Sequence, residues 1–367
     1  AFHISSPLGQ GSFGIVWSAR GQDGVAAAIK EIACSSEEEL SRAREEALLL
    51  RRLGGGSALA GRVPAPLASE VCAGPAPGHW TVRLAMTQLP GVPLEQYLES
   101  RSLRVSRQTL RTEDDLVPAC RVAGELLVQL MPALASFSEE VYHRDVTPRN
   151  ILIDGSGPAA QFGLVDFGLA TDARRWRTGQ DGDDLAGDGR YWPASAWFAF
   201  GHGTQELAAY PALDHEYRHC LDMHALGITA LRCFMELLPP SPEPVARQST
   251  GGPPPGGASQ PRLRALRALR TAWGRYWADA RRFWQPVFDA FRSGGDFRAL
   301  KRAYAAAGVH RVIGMDLCAV RQALHEAHRE CLELSVLSES GSRSLAPLLD
   351  ALLALLCTAR EPGDAAP

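Results

Sequence analysis

Three residues near the middle of the chain could together move a phosphoryl group. Asp145 stands in Tyr142-His143-Arg144-Asp145-Val146-Thr147-Pro148-Arg149-Asn150, Asn150 follows it by five positions, and Asp166 opens Asp166-Phe167-Gly168 sixteen residues later. A carboxylate such as Asp145 can orient a hydroxyl and accept its proton late in transfer. An Asn and a second Asp supply the hard oxygen ligands that Mg2+ takes beside a nucleotide's phosphates. Phosphates also need a counter-charge, and composition marks one. The basic residues are nearly all Arg, and the two lysines are Lys30 and Lys301. A planar guanidinium cannot replace an ammonium at a tight site, so Lys30 is the candidate.

These groups need elements to hold them. Gly9-Gln10-Gly11-Ser12-Phe13-Gly14-Ile15-Val16 fits G-x-G-x-x-G-x-V and precedes Val25-Ala26-Ala27-Ala28-Ile29-Lys30. A dinucleotide-binding turn shares these glycines but must open a helix. Ile15-Val16-Trp17 is β-branched and aromatic, so the spacing predicts a strand and hairpin. Gly9, Gly11 and Gly14 would let backbone N–H groups approach phosphates, with Phe13 at the loop tip. Ser36-Glu37-Glu38-Glu39 predicts a helix start, acids first, running to Leu53 before Gly54-Gly55-Gly56. Trp80–Met86 reads as a strand, Leu94–Ser100 as a short helix, and about 115–138 as a long one.

The order Gly-rich hairpin, Ala-Ala-Ile-Lys, His-Arg-Asp, Asn and Asp-Phe-Gly resembles the eukaryotic-type protein kinase superfamily over about residues 1–335. The resemblance implies an α+β, bilobal fold: a small β-rich lobe with one main helix (1–89, hinge at 87–91), a large helical lobe (90–335) and a Leu-rich helix and tail (336–367). It implies ATP and Mg2+ as cofactors and a protein substrate. Lys30 would be held on the α/β-phosphates by Glu46, with Glu45 the competing choice. Glu46 is preferred because Leu49, Leu50 and Leu53 then fall at the apolar +3, +4 and +7 positions. Met86 would be the gatekeeper, and the backbone of Thr87, Gln88 and Leu89 would meet the adenine edge. Val16 belongs to the same nucleotide-binding set, with Ala28 above the adenine and Leu152 beneath it. Asp145, Asn150, Asp166 and Lys30 would be catalytic, with Asn150 and Asp166 on the metal.

Some stretches bear on the acceptor and on regulation. Gly203-Thr204-Gln205-Glu206 resembles the G-T-x-E of Ser/Thr kinases, and Asp222-Met223-His224-Ala225-Leu226-Gly227 the segment whose Asp braces the catalytic loop. Both favour a Ser/Thr acceptor over Tyr. Thr147 stands where most Ser/Thr kinases have Lys, so slower turnover is expected. Ala-Pro-Glu is absent, with Ala209-Tyr210-Pro211-Ala212 in its place. Gly168–Gly203 is long for an activation loop and carries Thr171, Thr178 and Ser195 as conceivable phosphosites, with Arg144 as the cation that could pair with a phosphate. The alternatives are a pseudokinase scaffold and a small-molecule kinase. A remoter one is a zinc metalloprotease, from His215-Glu216-Tyr217-Arg218-His219.

The remaining bounds are plain. A 367-residue chain of net charge −3 argues for neither nucleic acid nor an anionic membrane surface. Eight scattered cysteines predict free thiols and an intracellular, cytoplasmic setting. No run is read as a membrane span. The start at Ala1 suggests a domain of something longer. Residues 239–261 read as a Pro/Gly-rich insertion, and Leu263, Leu266, Leu269 and Trp273 as a core-facing stripe with a solvated Arg face. A helix over 345–357 would close the lobe or meet a regulatory partner.

Overall fold

The computed structural model describes residues 1–11, 14–54, 59–74, 76–110, 113–155, 159–180, 186–240, 260–335 and 342–356. Strands β1 (Phe2–Gly11), β2 (Gly14–Gly21) and β3 (Ala26–Cys34) form an antiparallel meander. With β4 (Pro66–Ala73) and β5 (Trp80–Thr87) they make a five-stranded sheet in the order β1-β2-β3-β5-β4. The glycine-rich stretch is therefore a hairpin, as its β-branched continuation requires. Gly14 is obligatory there: its φ is +136°, and an added Cβ would lie 2.0 Å from the Glu31 carbonyl oxygen.

Helix α1 (Glu37–Leu53) packs on this sheet. Its N-cap Ser36 accepts the Glu39 amide through Oγ, and Glu39 returns its carboxylate to the Ser35 amide and hydroxyl. Leu49, Leu50 and Leu53 are buried, as their spacing predicts.

The rest is mostly helical. After β6 (Val92–Pro93), α2 (Leu94–Val105) leads through a 3-10 turn to α3 (Val117–Phe137). By length and composition Asp114–Phe137 could cross a membrane, which the sequence reading missed. Ten α3 residues, Leu126, Leu130 and Phe137 among them, are buried, and the helix packs on helices introduced below. Strands β7 (Val141–Tyr142), β8 (Ile151–Asp154), β9 (Gln161–Leu164) and β10 (Thr171–Asp172) frame the catalytic stretch. Then come α4 (Ala173–Arg177), α5 (Ala194–His202), α6 (Pro211–His219) and α7 (Leu221–Leu237). Helices α8 (Gln260–Ser293), α9 (Phe297–Ala307), α10 (Val309–Ser335) and α11 (Ser342–Leu355) complete the lobe. Helices α7 and α11 are the two that cover α3.

The α8 stripe of Leu263, Leu266, Leu269 and Trp273 is buried as expected. Its Arg face is only partly solvated. Arg262 is buried, and Arg270 donates to the Leu238 and Pro239 carbonyls beyond the end of α7. The two lobes are tied by Arg52 to Asp172 at 2.6 Å and by Arg175 to Glu45 at 2.9 Å.

Candidate active site

Strand β3 carries Lys30 inward, and α1 brings Glu46 to it. Lys30 Nζ donates to both Glu46 oxygens at 2.7 and 2.9 Å and to Asp166 Oδ1 at 2.7 Å. Glu45, the competing choice, is on Arg175 instead. Burial would lower the Lys30 pKa, but Glu46 and Asp166 outweigh it and hold the ammonium charged. One cation serves two carboxylates, and they split by exposure. Burial pushes the enclosed Glu46 up against the pull of Lys30, whereas Lys30 holds the more open Asp166 down despite burial.

Asp145 and Asn150 share one loop. Asn150 Nδ2 donates to Asp145 Oδ2 at 2.7 Å and to its carbonyl at 3.0 Å. The loop is braced from below, since the buried Asp222 of α7 accepts the His143 and Arg144 amides at 2.7 and 2.8 Å. Burial lifts the Asp222 carboxyl to about 6, with those two amides working the other way. Burial holds His143 down at about 4, hence neutral. Its Nε2 lies 3.1 Å from the Val165 carbonyl, and its Nδ1 accepts the Asp145 amide at 3.3 Å, which assigns the proton to Nε2. Phe167 packs edge-on against His143 and Phe137. Arg144 and Asp166 both sit at positive φ, 65° and 63°, a strained conformation for side-chain-bearing residues, held here by this network.

The residues expected to meet a nucleotide fall on the sheet and its exit. Ala28 pairs with Met86, and both are buried. Val16 pairs with Lys30 and packs against the same core. Thr87 and Gln88 spend their amides on the Ala65 and Ala26 carbonyls. Leu89 follows, its side chain close over Gly163. Leu152 is half-buried on β8, opposite Gly163. Gly9 and Gly11 lie at the end of β1, with nothing among the described residues within 4 Å of the Cβ each lacks. Phe13 lies outside the described residues.

The structure bears on several further expectations. Thr204 opens a 3-10 turn, Thr204–Ala209, packed on α5 and α6. The residues against Asp145 are Gly187 and Asp188. The Asp188 amide donates to Asp145 Oδ1 at 3.1 Å, and a Cβ on Gly187 would lie 2.1 Å from the Arg144 carbonyl. The buried Asp188 carboxylate holds Arg149 at 2.7 Å and Arg190 at 2.5 Å. Burial, then the Asp188 charge, lifts Asp145 to about 6. The sequence signal for this segment was Gly187-Asp188-Gly189 running into Tyr191-Trp192-Pro193, hidden by the more obvious Gly-Thr downstream.

The phosphosites fare unequally. Thr171 and Ser195 are buried, and only Thr178 is exposed. The buried Arg144 guanidinium donates to the Leu169 carbonyl and lies over the Trp176 ring. In the H-E-x-x-H string the two imidazoles do stack on one face of α6. Its Glu216, however, is buried with Oε2 on the Ser195 amide, and no cluster of three or more His, Cys, Asp or Glu that could hold a metal occurs among the described residues. Finally, Thr147 is buried, and its hydroxyl has no hydrogen-bond partner among the described residues.

Comparison with curated proteins gives no match. The family model for the protein kinase domain matches residues 2–247, more than half of the chain. With Lys30, Glu46 and Asp166 joined across the two lobes and Asp145 and Asn150 joined beside them, the chain belongs to the protein kinase family.

Proposed function

We propose that this kinase transfers a phosphoryl group from ATP, with Mg2+, to a Ser or Thr hydroxyl of a protein. The observation that carries the reading is the Lys30 ammonium bonded at once to Glu46 and Asp166. That bond holds the cation, and a potential metal ligand, in one place on a rigid strand and helix.

The residues fit the nucleotide. No neighbour among the described residues crowds out a side chain at Gly9 or Gly11, whereas backbone closely approached by phosphates would require bare glycine. Asn150 and Asp166 offer one amide and one carboxylate, the sparse protein ligation that suits Mg2+ shared with phosphates. Asn150 and Asp166 would hold Mg2+, whose charge would offset the negative charge of the phosphates during transfer. Lys30 would add its charge there, with no reorganisation because Glu46 already fixes it. The Leu89 amide, free of any bond among the described residues, and the Thr87 carbonyl would take the adenine edge. Val16, Ala28 and Met86 on the sheet and Leu152 on β8 would enclose the ring. Asp145 would orient the acceptor hydroxyl and take its proton, while Asn150 keeps the carboxylate aimed.

Labelled-ATP transfer to mixed peptides tests this. Wild type should label Ser and Thr, and Asp145→Asn should lose at least about 100-fold of the rate while still binding ATP. ATP binding without transfer by wild type would overturn the enzyme reading in favour of a scaffold, which Thr147 in place of Lys and the absent Ala-Pro-Glu favour. Phosphotyrosine alone would overturn the acceptor. Transfer to small metabolites only would overturn the protein substrate.

A further inference from the structure

We propose that the segment facing Asp145 is locked in working position by aromatic packing, so that transfer needs no phosphate on it. Trp176 packs against Arg144, and Tyr276, Trp277 and Trp284 of α8 stand behind Gly189–Trp192. The proposal rests on the kinase reading above and adds how that site is kept assembled.

The lock begins at Asp145. Gly187 presses on the Arg144 carbonyl, and the Asp188 amide reaches Asp145 Oδ1. The next four residues lean on α8, which lies beyond the span matched by the family model. Tyr276 donates its hydroxyl to the Arg190 carbonyl at 3.3 Å. The Trp277 ring meets Tyr191 edge-on at 5.6 Å, and the Trp284 ring meets Trp192 at the same distance. Gly189 completes the fit, since a Cβ there would stand 2.6 Å from the Trp284 ring. From α7, Arg232 holds the Tyr191 hydroxyl at 2.7 Å. Tyr191 and Trp192 are consequently 2% and 5% exposed. Tyr276, Trp277 and Trp284 are thus positioning residues that act on Asp145 through Gly187 and Asp188.

The same packing leaves little for a phosphate to do. Residues 168–203 contain four hydroxyls, Thr171, Thr178, Tyr191 and Ser195. Three are buried, and a dianion on any of them would have to open the core. The fourth, Thr178, bonds its hydroxyl to the Arg174 and Arg175 carbonyls at the end of α4. Arg144, the cation that would receive a phosphate, already lies 5.4 Å over the Trp176 ring and 2.7 Å from the Leu169 carbonyl. Trp176 is itself fixed, with its indole N–H 3.3 Å from the Tyr217 carbonyl and its ring 4.8 Å from Tyr217.

The test uses the full chain and reads kcat, direct ATP binding and hydrogen exchange over 187–192. Phosphatase-treated wild type and Thr178→Ala should keep the full kcat. Trp284→Ala should lose tenfold or more of kcat with ATP affinity unchanged and faster exchange at 187–192, and Trp284→Phe should recover most of the loss. A tenfold loss on phosphatase treatment would overturn the proposal, as would Trp284→Ala with wild-type kcat and exchange. The phosphatase arm decides the matter even if Trp284→Ala fails to fold. Wild type that binds ATP and transfers nothing, treated or not, would instead overturn the enzyme reading and this inference with it.

Discussion

At the scale of single residues, two ionisable groups shifted by burial carry measurable consequences. Asp145 is lifted to about 6 by burial first and by the Asp188 charge second. As the proposed base it must be ionised, so kcat should rise with pH through about 6 and fall about tenfold by pH 5. Asp188→Asn removes the like charge, and the acid limb of a stopped-time rate profile should then move to lower pH. Asp222, also near 6, is not touched by that variant. His224 is the second group. It is fully buried in α7, neither ring nitrogen has a partner among the described residues, and burial holds it down at about 3. A lone buried polar group costs about 1–3 kcal/mol, so His224→Leu should raise stability by about 1 kcal/mol in urea melts at pH 7. The sign of the linkage follows. The unfolded imidazole gains its proton near 6.5 and the folded one only near 3, so the proton adds no penalty above 6.5 and disfavours the folded state increasingly as pH falls from 6.5 toward 3. The advantage of the variant should therefore widen as pH drops below 6.5.

At the scale of elements, Gly14 is the sharpest case. Gly14→Ala combines a forbidden φ with a Cβ 2.0 Å from the Glu31 carbonyl. It should cost on the order of 3 kcal/mol locally and weaken ATP binding about tenfold by isothermal titration. This element was legible beforehand because β-branched residues after the glycines choose strand over helix. Glu46 over Glu45 was legible too, from the heptad-like spacing of Leu49, Leu50 and Leu53. Gly187–Trp192 was not. Its identity depends on Asp188 reaching Asp145 across 43 positions, and no local periodicity encodes such a contact. The half-buried Arg face of α8 was missed similarly, because Arg270 turns inward to carbonyls at 238 and 239 that only tertiary packing brings near.

At the scale of the whole molecule, the family-matched span ends inside the insertion, yet the core does not end there. Leu266, Leu269, Trp273 and Tyr276 of α8 and Leu348, Leu349 and Leu352 of α11 belong to the same buried cluster as Tyr191 and Trp192. A chain cut to 1–247 would bare that apolar wall. It should aggregate, or melt about 10 °C or more below the full chain in a thermal scan. A fragment with undiminished melting temperature would show that residues 260–356 decorate the lobe and do not build it.

The scarcity of lysine also reaches beyond the phosphate site. Lys30 is 4% exposed, while Lys301 stands on the open face of α9, near the Phe200 ring. Because Lys30 is sealed by two carboxylates, an amine-selective reagent meets a single accessible side-chain ammonium on this chain. Acylation would then install one dye or one crosslinker at Lys301. Slow modification of Lys30, scored by mass spectrometry, would report how often the cleft between the lobes opens.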